Sequence, residues 1–274
     1  KTRGLSKHLF SGEYHSAFKG RGMSFSEVRD YQYGDDVRNI DWNVTARTGD
    51  PHVKIFEEER ELTVMIVIDV SQSSFFGTVN QMKNAILTEI CAVLAFSAIN
   101  NNDKVGVLFF TDRMEKFIPP KKGKQHILRI IRELLNFEPV GRGTEVGQAL
   151  EYLNNLIKKR GNAYDLTDFL TAASEPPMRI AARRHDIIGV HLFDPCEAEL
   201  PNVGLIRALD AETGTEQWID TSVASVRRRY ADYFQQNLRY FRSAFLKSGA
   251  DTVSIRTDQS YVNALLQFFK KRSK

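Results

Sequence analysis

Residues 62–68 read Leu-Thr-Val-Met-Ile-Val-Ile, a nearly unbroken β-branched apolar run. A strand of that composition has no polar edge to turn to water. It needs cover on both faces, the situation of a central strand in a parallel sheet. The segments that follow alternate in period. Val79 to Asn100 carries Ile86, Leu87, Ile90, Val93, Leu94 and Phe96 and becomes apolar almost all round, as a buried helix does. Lys104 to Phe110 is a second buried strand, followed by a turn and a short strand to Ile118 before Pro119-Pro120. Gln125 to Phe137 and Glu145 to Lys159 are spaced as amphipathic helices, and Ala163 to Leu166 and Asp186 to Phe193 as strands. Past Pro201 come short strands at Val203–Ala208 and Glu216–Ile219, a long helix over Ser222–Lys247, a strand at Thr252–Ile255 and a last helix from Asp258. Strands alternating with helices predict an α/β domain built on a doubly wound, mostly parallel sheet.

This domain is expected to span 61–274. Residues 1–60 are polar and turn-rich, with glycines at 4, 12, 20, 22, 34 and 49 and no helical period, and read as an irregular extension packed on the core. Ala163 to Leu166 is short for a central strand and holds Asp165 where an apolar residue is expected, so a few residues absent near 160–163 would explain it. With 38 Lys and Arg against 34 Asp and Glu the net charge is only +4, which argues against nucleic acid as a partner. The longest nearly apolar run, Ile90–Ile99, falls short of the roughly 20 residues that cross a bilayer, so this stretch is expected not to span a membrane. The chain opens on Lys1-Thr2-Arg3 without an initiator Met or signal-peptide pattern. Cys91 and Cys196 have neither metal-ligand nor disulfide spacing, which suits a reducing, cytoplasmic setting with membrane association only through partners.

The chemistry concentrates at the end of the first core strand, in Asp69-Val70-Ser71-Gln72-Ser73. Loops at the carboxyl ends of parallel strands form the binding crevice of such folds. Alternate residues of an extended loop point one way, so Asp69, Ser71 and Ser73 present one carboxylate and two hydroxyls together. Oxygen donors of this kind suit a hard, octahedral cation such as Mg²⁺ or Mn²⁺. Farther on, Gly141-Arg142-Gly143-Thr144 places a threonine just before a helix, and Leu166-Thr167-Asp168 an acid at a strand end. Each alone also reads as a helix or loop cap. Together the five residues resemble the metal-ion-dependent adhesion site of von Willebrand factor A domains. That resemblance implies that Asp69, Ser71 and Ser73 hold the metal and that Thr144 and Asp168 complete the site, often through water. Two carboxylates leave a dication incompletely compensated, so the site should attract an acidic side chain of a protein partner.

The extension carries a second signature. Arg29-Asp30-Tyr31 is followed by Gly34-Asp35-Asp36-Val37-Arg38-Asn39-Ile40-Asp41-Trp42, then Ala46-Arg47 and Val53 to Arg60. Physically, Asp35, Asp36 and Asp41 balance Arg29, Arg38 and Arg47, which suits a charge-assisted network pinning the extension, or with Trp42 a docking surface. With the Asp-x-Ser-x-Ser triplet, the string resembles the bacterial von Willebrand A-like family catalogued as domain of unknown function fifty-eight. The likeness runs from about Ser11 to the end, including Leu200-Pro201-Asn202-Val203-Gly204 and 258–269. Members are commonly encoded beside MoxR-type AAA+ ATPases, so the resemblance implies an adaptor or assembly factor acting with such an ATPase. A metal-dependent hydrolase using the same ion is the alternative. No general base is apparent in the loops to support it. The chain has no Gly-x-x-x-x-Gly-Lys-Ser/Thr string, so ATP is expected to belong to the partner. The six histidines, at 8, 15, 52, 126, 185 and 191, are scattered without ligand spacing, and the basic runs at 227–229 and 270–272 read as solvated helix faces.

Overall fold

The computed structural model describes residues 24–57, 62–79, 81–158, 161–167, 175–210 and 214–272. They fall into two compact units that meet in sequence between Glu61 and Leu62.

The larger unit is the α/β domain. Its elements are β3 (Thr63–Asp69), α2 (Lys83–Asn100), β4 (Lys104–Phe110), β5 (Met114–Lys121), α3 (Lys124–Leu135), α4 (Val146–Leu156), β6 (Asn162–Thr167), α5 (Glu175–Arg184), β7 (Asp186–Phe193), the single turn α6 (Pro195–Ala198), β8 (Leu205–Leu209), β9 (Glu216–Asp220), α7 (Ala224–Ser248), β10 (Asp251–Arg256) and α8 (Tyr261–Arg272). Six strands form one sheet in the order β10-β7-β6-β3-β4-β5. All pairs are parallel except β4 with the edge strand β5. The chain leaves β3 first toward β4 and β5, then returns to β3's other side for β6, β7 and β10. The sheet therefore has its topological switch point between β3 and β6, the place where open α/β sheets bind ligands.

The central strands are as dry as their composition demands. Val64, Ile66, Val67 and Ile68 of β3 are wholly buried, as are Val107, Leu108 and Phe109 of β4. On one face Met65, Val67, Leu108, Phe110 and Ala163 pack under α4, α5 and α7, through Leu150, Leu153, Met178, Phe241 and Phe245. Gly189 of β7 makes this possible: a Cβ there would stand 2.5 Å from the Phe245 ring. The other face is covered by α2, whose Leu87, Ile90, Cys91, Val93 and Leu94 are buried. α2 is also the one helix among the described residues long and apolar enough to cross a membrane. Its apolarity is used here within the fold. Burial pushes the Cys91 thiol up to about 12, and both cysteines are free.

Two boundaries differ from the sequence expectation. α2 begins at Lys83 rather than Val79, because the preceding residues fold back so that the Lys83 amide donates to Phe76 O at 2.9 Å. The segment that reads too short forms a full six-residue strand, β6, paired with β3 on one side and β7 on the other. No absent residues are needed to complete it, and Asp165 is buried at its centre.

Within the turn-rich extension, residues 24–57 contain regular structure. β1 (Ser24–Asp30) and β2 (His52–Glu57) form an antiparallel ribbon, and α1 (Trp42–Thr48) lies between them in sequence. Short polar strands joined by a long connection leave little periodic signal. Asp41 caps α1, accepting from the Asn43 and Val44 amides at 3.0 and 3.3 Å.

Candidate cation site at the switch point

Asp69 is the last residue of β3, and its neighbour across the switch point is Thr167, the last of β6. Thr167 Oγ1 donates to Asp69 Oδ2 at 3.1 Å, tying the two carboxyl ends together. The other carboxylate oxygen, Oδ1, accepts from the Ser71 amide at 2.9 Å. That bond turns the chain sharply after the strand, and a 3₁₀ turn follows over Gln72–Phe75. Ser71 and Ser73 come out side by side, their hydroxyl oxygens 2.9 Å apart. Ser74 Oγ donates back to Ser71 O at 2.8 Å and closes the turn. All three triplet residues are buried. The triplet thus forms one buried turn in which the two serine hydroxyls are neighbours.

Thr144 arrives from the loop before α4 and is buried as well. It is not the helix cap: Glu145 holds that position, without a side-chain bond to the helix. The loop is held by the end of β4. The Glu145 amide donates to Thr111 O at 3.0 Å, and the Gly141 amide to Glu115 Oε1 at 2.7 Å. Thr111 Oγ1 donates to the same Glu115 oxygen at 2.8 Å. Gly141 sits so close that an added Cβ would be 2.1 Å from Thr111 Oγ1 and 2.9 Å from its Cβ. Gly141→Ala is accordingly expected to cost about 1–3 kcal/mol, the scale of overpacking a buried contact, and thermal unfolding of the variant measures it. Asp168 lies outside the described residues.

Thr167 and Asp165 belong to this neighbourhood, although neither was among the expected site residues. Asp165 precedes Thr167 by two on β6 and so shares its face, opposite Val67 and one step deeper in the sheet. It is fully buried and neither carboxyl oxygen has a hydrogen-bond partner. Burial, and secondarily the Asp69 charge, push its pKa up to about 8. An apolar cluster around a lone acid was the available signal. What it lacked was a face: only pairing with β3 sets Asp165 beside Asp69.

The donors fit a hard cation. Those gathered are one carboxylate and three hydroxyl-bearing side chains; no group of three or more His, Cys, Asp or Glu that could hold a metal occurs among the described residues, here or elsewhere. The Asp165 carboxyl beneath Asp69 stays protonated at neutral pH, and a cation above Asp69 would ease its ionisation.

The triplet turn is anchored on its far side by a buried polar cluster. Asp194, at the end of β7, accepts from the Thr78 amide and hydroxyl at 2.8 and 2.5 Å, from the Cys196 amide at 2.9 Å and from Thr257 Oγ1 at 3.2 Å. Burial raises its pKa, but these bonds outweigh it and hold the carboxyl below its ordinary value. Lys83, fully buried at the start of α2, reaches Glu197 Oε1 at 2.5 Å.

In the smaller unit the expected charge network resolves into separate local pairs. Arg29 forks onto Asp35 at 2.8 and 2.9 Å. Arg38 pairs with Asp36, holding that carboxyl down to about 2. Asp41 takes the α1 cap with Lys54 3.5 Å away, and Arg47 stands in the last turn of α1. Trp42 is exposed.

A doubly wound sheet with one antiparallel edge strand, and an Asp-x-Ser-x-Ser turn at its switch point, make an α/β domain whose fold resembles that of von Willebrand factor A domains. The chain belongs to the family described as Protein of unknown function DUF58, whose model matches residues 27–239. It is 31% identical over 270 residues to the uncharacterized protein Rv1480 of Mycobacterium tuberculosis, covering 96% of this chain and 84% of that protein. A second relative, the uncharacterized protein MAV169 of Mycobacterium avium, is 26% identical over 158 residues, 57% of this chain and 93% of that protein. Among solved structures it is similar in fold to the conserved hypothetical protein BatB of Bacteroides thetaiotaomicron, with a TM-score of 0.50 and 16% identity over 77% of this chain and 98% of that one. An aerotolerance-related membrane protein of Bacteroides fragilis matches with the same TM-score, 15% identity, and the same coverage.

Proposed function

We propose that this protein is a non-enzymatic interaction factor that captures an acidic residue of a protein partner through a Mg²⁺ or Mn²⁺ ion held by Asp69, Ser71, Ser73, Thr144 and Asp168. The single observation that carries the reading is that Asp69, Ser71 and Ser73 lie buried in one turn at the switch point of the sheet, the serine hydroxyls 2.9 Å apart and the Asp69 carboxylate bonded to the Ser71 amide. When bound, the ion supplies a positive centre that two carboxylates balance only in part. The chain's own residues do the rest. Asp69 sets the charge, held in orientation by the Ser71 amide and Thr167, and the hydroxyls supply neutral oxygen. Family resemblance makes a MoxR-type AAA+ ATPase the partner of choice, in the cytoplasm or at a membrane reached through other proteins.

Calorimetry with Mg²⁺ and Mn²⁺ tests the site. The protein should bind, Asp69→Ala should lose at least tenfold in affinity, and the ATPase should tighten metal binding, since coupling between two ligands is reciprocal. Absence of metal binding with and without the ATPase overturns the reading. Metal-dependent hydrolysis of a phosphoester or peptide by the isolated protein would overturn its non-enzymatic part.

A further inference from the structure

Helices α5 and α7 lie side by side over one face of the sheet, with Met178, Ala181, Phe234, Leu238, Phe241 and Phe245 turned into the core. Their outward sides hold an unbalanced positive charge. The two helices carry eight arginines and one lysine against two acids, Glu175 and Asp232, a net +7 in a chain whose total is +4. Arg179, Arg183, Arg228, Arg229, Arg239 and Arg242 are exposed. None of the eight arginines makes an ion pair among the described residues, and Arg184 and Arg227 reach only backbone carbonyls. Arginines on other surfaces are matched with acids, as Arg29 is with Asp35, Arg207 with Glu216, Arg256 with Asp258 and Arg272 with Asp186. Large side chains stand in water among the unmatched ones: Ile180 is 55% exposed, Tyr233 60%, Tyr240 43% and Leu246 78%. Arg229, Tyr233 and Tyr240 recur along one line of α7, and Arg228, Arg239, Arg242 and Leu246 along the next, on a helix about 37 Å long.

We propose that this face docks on the surface of an anionic lipid bilayer. Charge complementarity selects the anion, and guanidinium forks that no carboxylate holds match lipid phosphates. The apolar side chains select the lipid. Tyrosines settle at headgroup depth, and the Ile180 and Leu246 side chains enter the acyl boundary. A nucleic acid would use the same arginines and leave both aliphatic side chains in water. The protein then meets a membrane by its own surface, while the cation site, at the carboxyl ends of the strands, stays open beside it.

The test is cosedimentation of the full chain with vesicles, in chelator and about 150 mM salt. Vesicles of phosphatidylcholine with about one-third phosphatidylglycerol should bind at least tenfold tighter than phosphatidylcholine alone, since each basic residue near such a surface is worth roughly fivefold. Combining Arg183→Gln, Arg229→Gln and Arg239→Gln should lose at least tenfold. Combining Lys121→Gln, Lys122→Gln and Lys124→Gln removes the same charge from exposed positions at the opposite edge of the sheet and should leave binding at the parent's level. Leu246→Ser should lose at least threefold with no change of charge. Absence of binding, equal binding to both vesicles, or equal losses from the two triple variants overturns the proposal. Binding that Leu246→Ser leaves unchanged and a single-stranded oligonucleotide competes away assigns the face to nucleic acid and overturns it as well. The vesicle comparison on the parent protein decides even where a variant misfolds, and the chelator makes every outcome independent of the cation site.

Discussion

Asp165→Asn is expected to stabilise the protein by about 4 kcal/mol at pH 7, measured by urea unfolding in the presence of chelator. The carboxyl is fully buried without a hydrogen-bond partner, and its pKa stands at about 8 against an ordinary 3.8. Below about pH 4 the group is protonated in both folded and unfolded chains and adds no pH dependence. Between about pH 4 and 8 the unfolded chain gives up the proton while the folded protein keeps it. The unfolded state then binds fewer protons, so stability falls as pH rises, by roughly 1.4 kcal/mol per unit. Above about pH 8 the loss is complete. Asparagine has nearly the same shape and does not ionise, so the difference between the two proteins should grow from pH 5 to 8 and level off. Other titrating groups cancel in that difference. Equal stability across the range would show that the carboxyl is solvated or ion-paired in solution. Saturating Mg²⁺ should narrow the gap, because a cation at Asp69 eases ionisation of the neighbouring acid.

The second large effect concerns the anchor of the triplet turn. Lys83→Met should cost about 3–5 kcal/mol, the scale of breaking a buried ion pair from one side. The methionine keeps most of the stem packing, so the loss reports the charge left on Glu197, which is largely buried. Glu197 also accepts from the Asp194 amide at 2.7 Å, closing a capping box at α6. The double variant Lys83→Met with Glu197→Gln removes both charges of the pair and keeps an acceptor for that amide. It should recover most of the loss in chemical denaturation. If the double variant is no more stable than Lys83→Met, the pair itself is not the source of the effect. Because Lys83 opens α2 only ten residues after Ser73, with its amide bonded to Phe76 O, Mg²⁺ affinity should fall with stability in the single variant and return in the double.

These two residues mark where the sequence stops being legible. A lysine at the start of a helix and an aspartate in a short apolar run look like surface and irregularity when read along the chain. Lys83 is buried because the turn after β3 folds back and sets it against Glu197, more than a hundred residues away. Asp165 stands beside Asp69 only because β6 returns to the free side of β3. Neither relation has a local signature.

The sheet itself is different. Runs such as Val64–Ile68 and Val105–Phe110 cannot be solvated on either side, and their alternation with helical periods leaves few topologies open. The Asp-x-Ser-x-Ser turn is likewise local, since the Ser71 amide to Asp69 bond spans two residues. The N-terminal ribbon and helix escaped notice because their strands are short, polar and joined by a long connection. Legible along the chain, therefore, are the parts whose physics is short-range: strands that need double cover, helices with an apolar stripe, and a turn that sets its two serine hydroxyls together. Tertiary structure alone decided what lies next to what across the switch point. It joined Asp69 to Thr167, set an unpartnered acid beneath them, and laid the arginines of α5 beside those of α7. Those contacts depend on the order in which the strands add to the sheet, and that order is set by the packing of the whole domain.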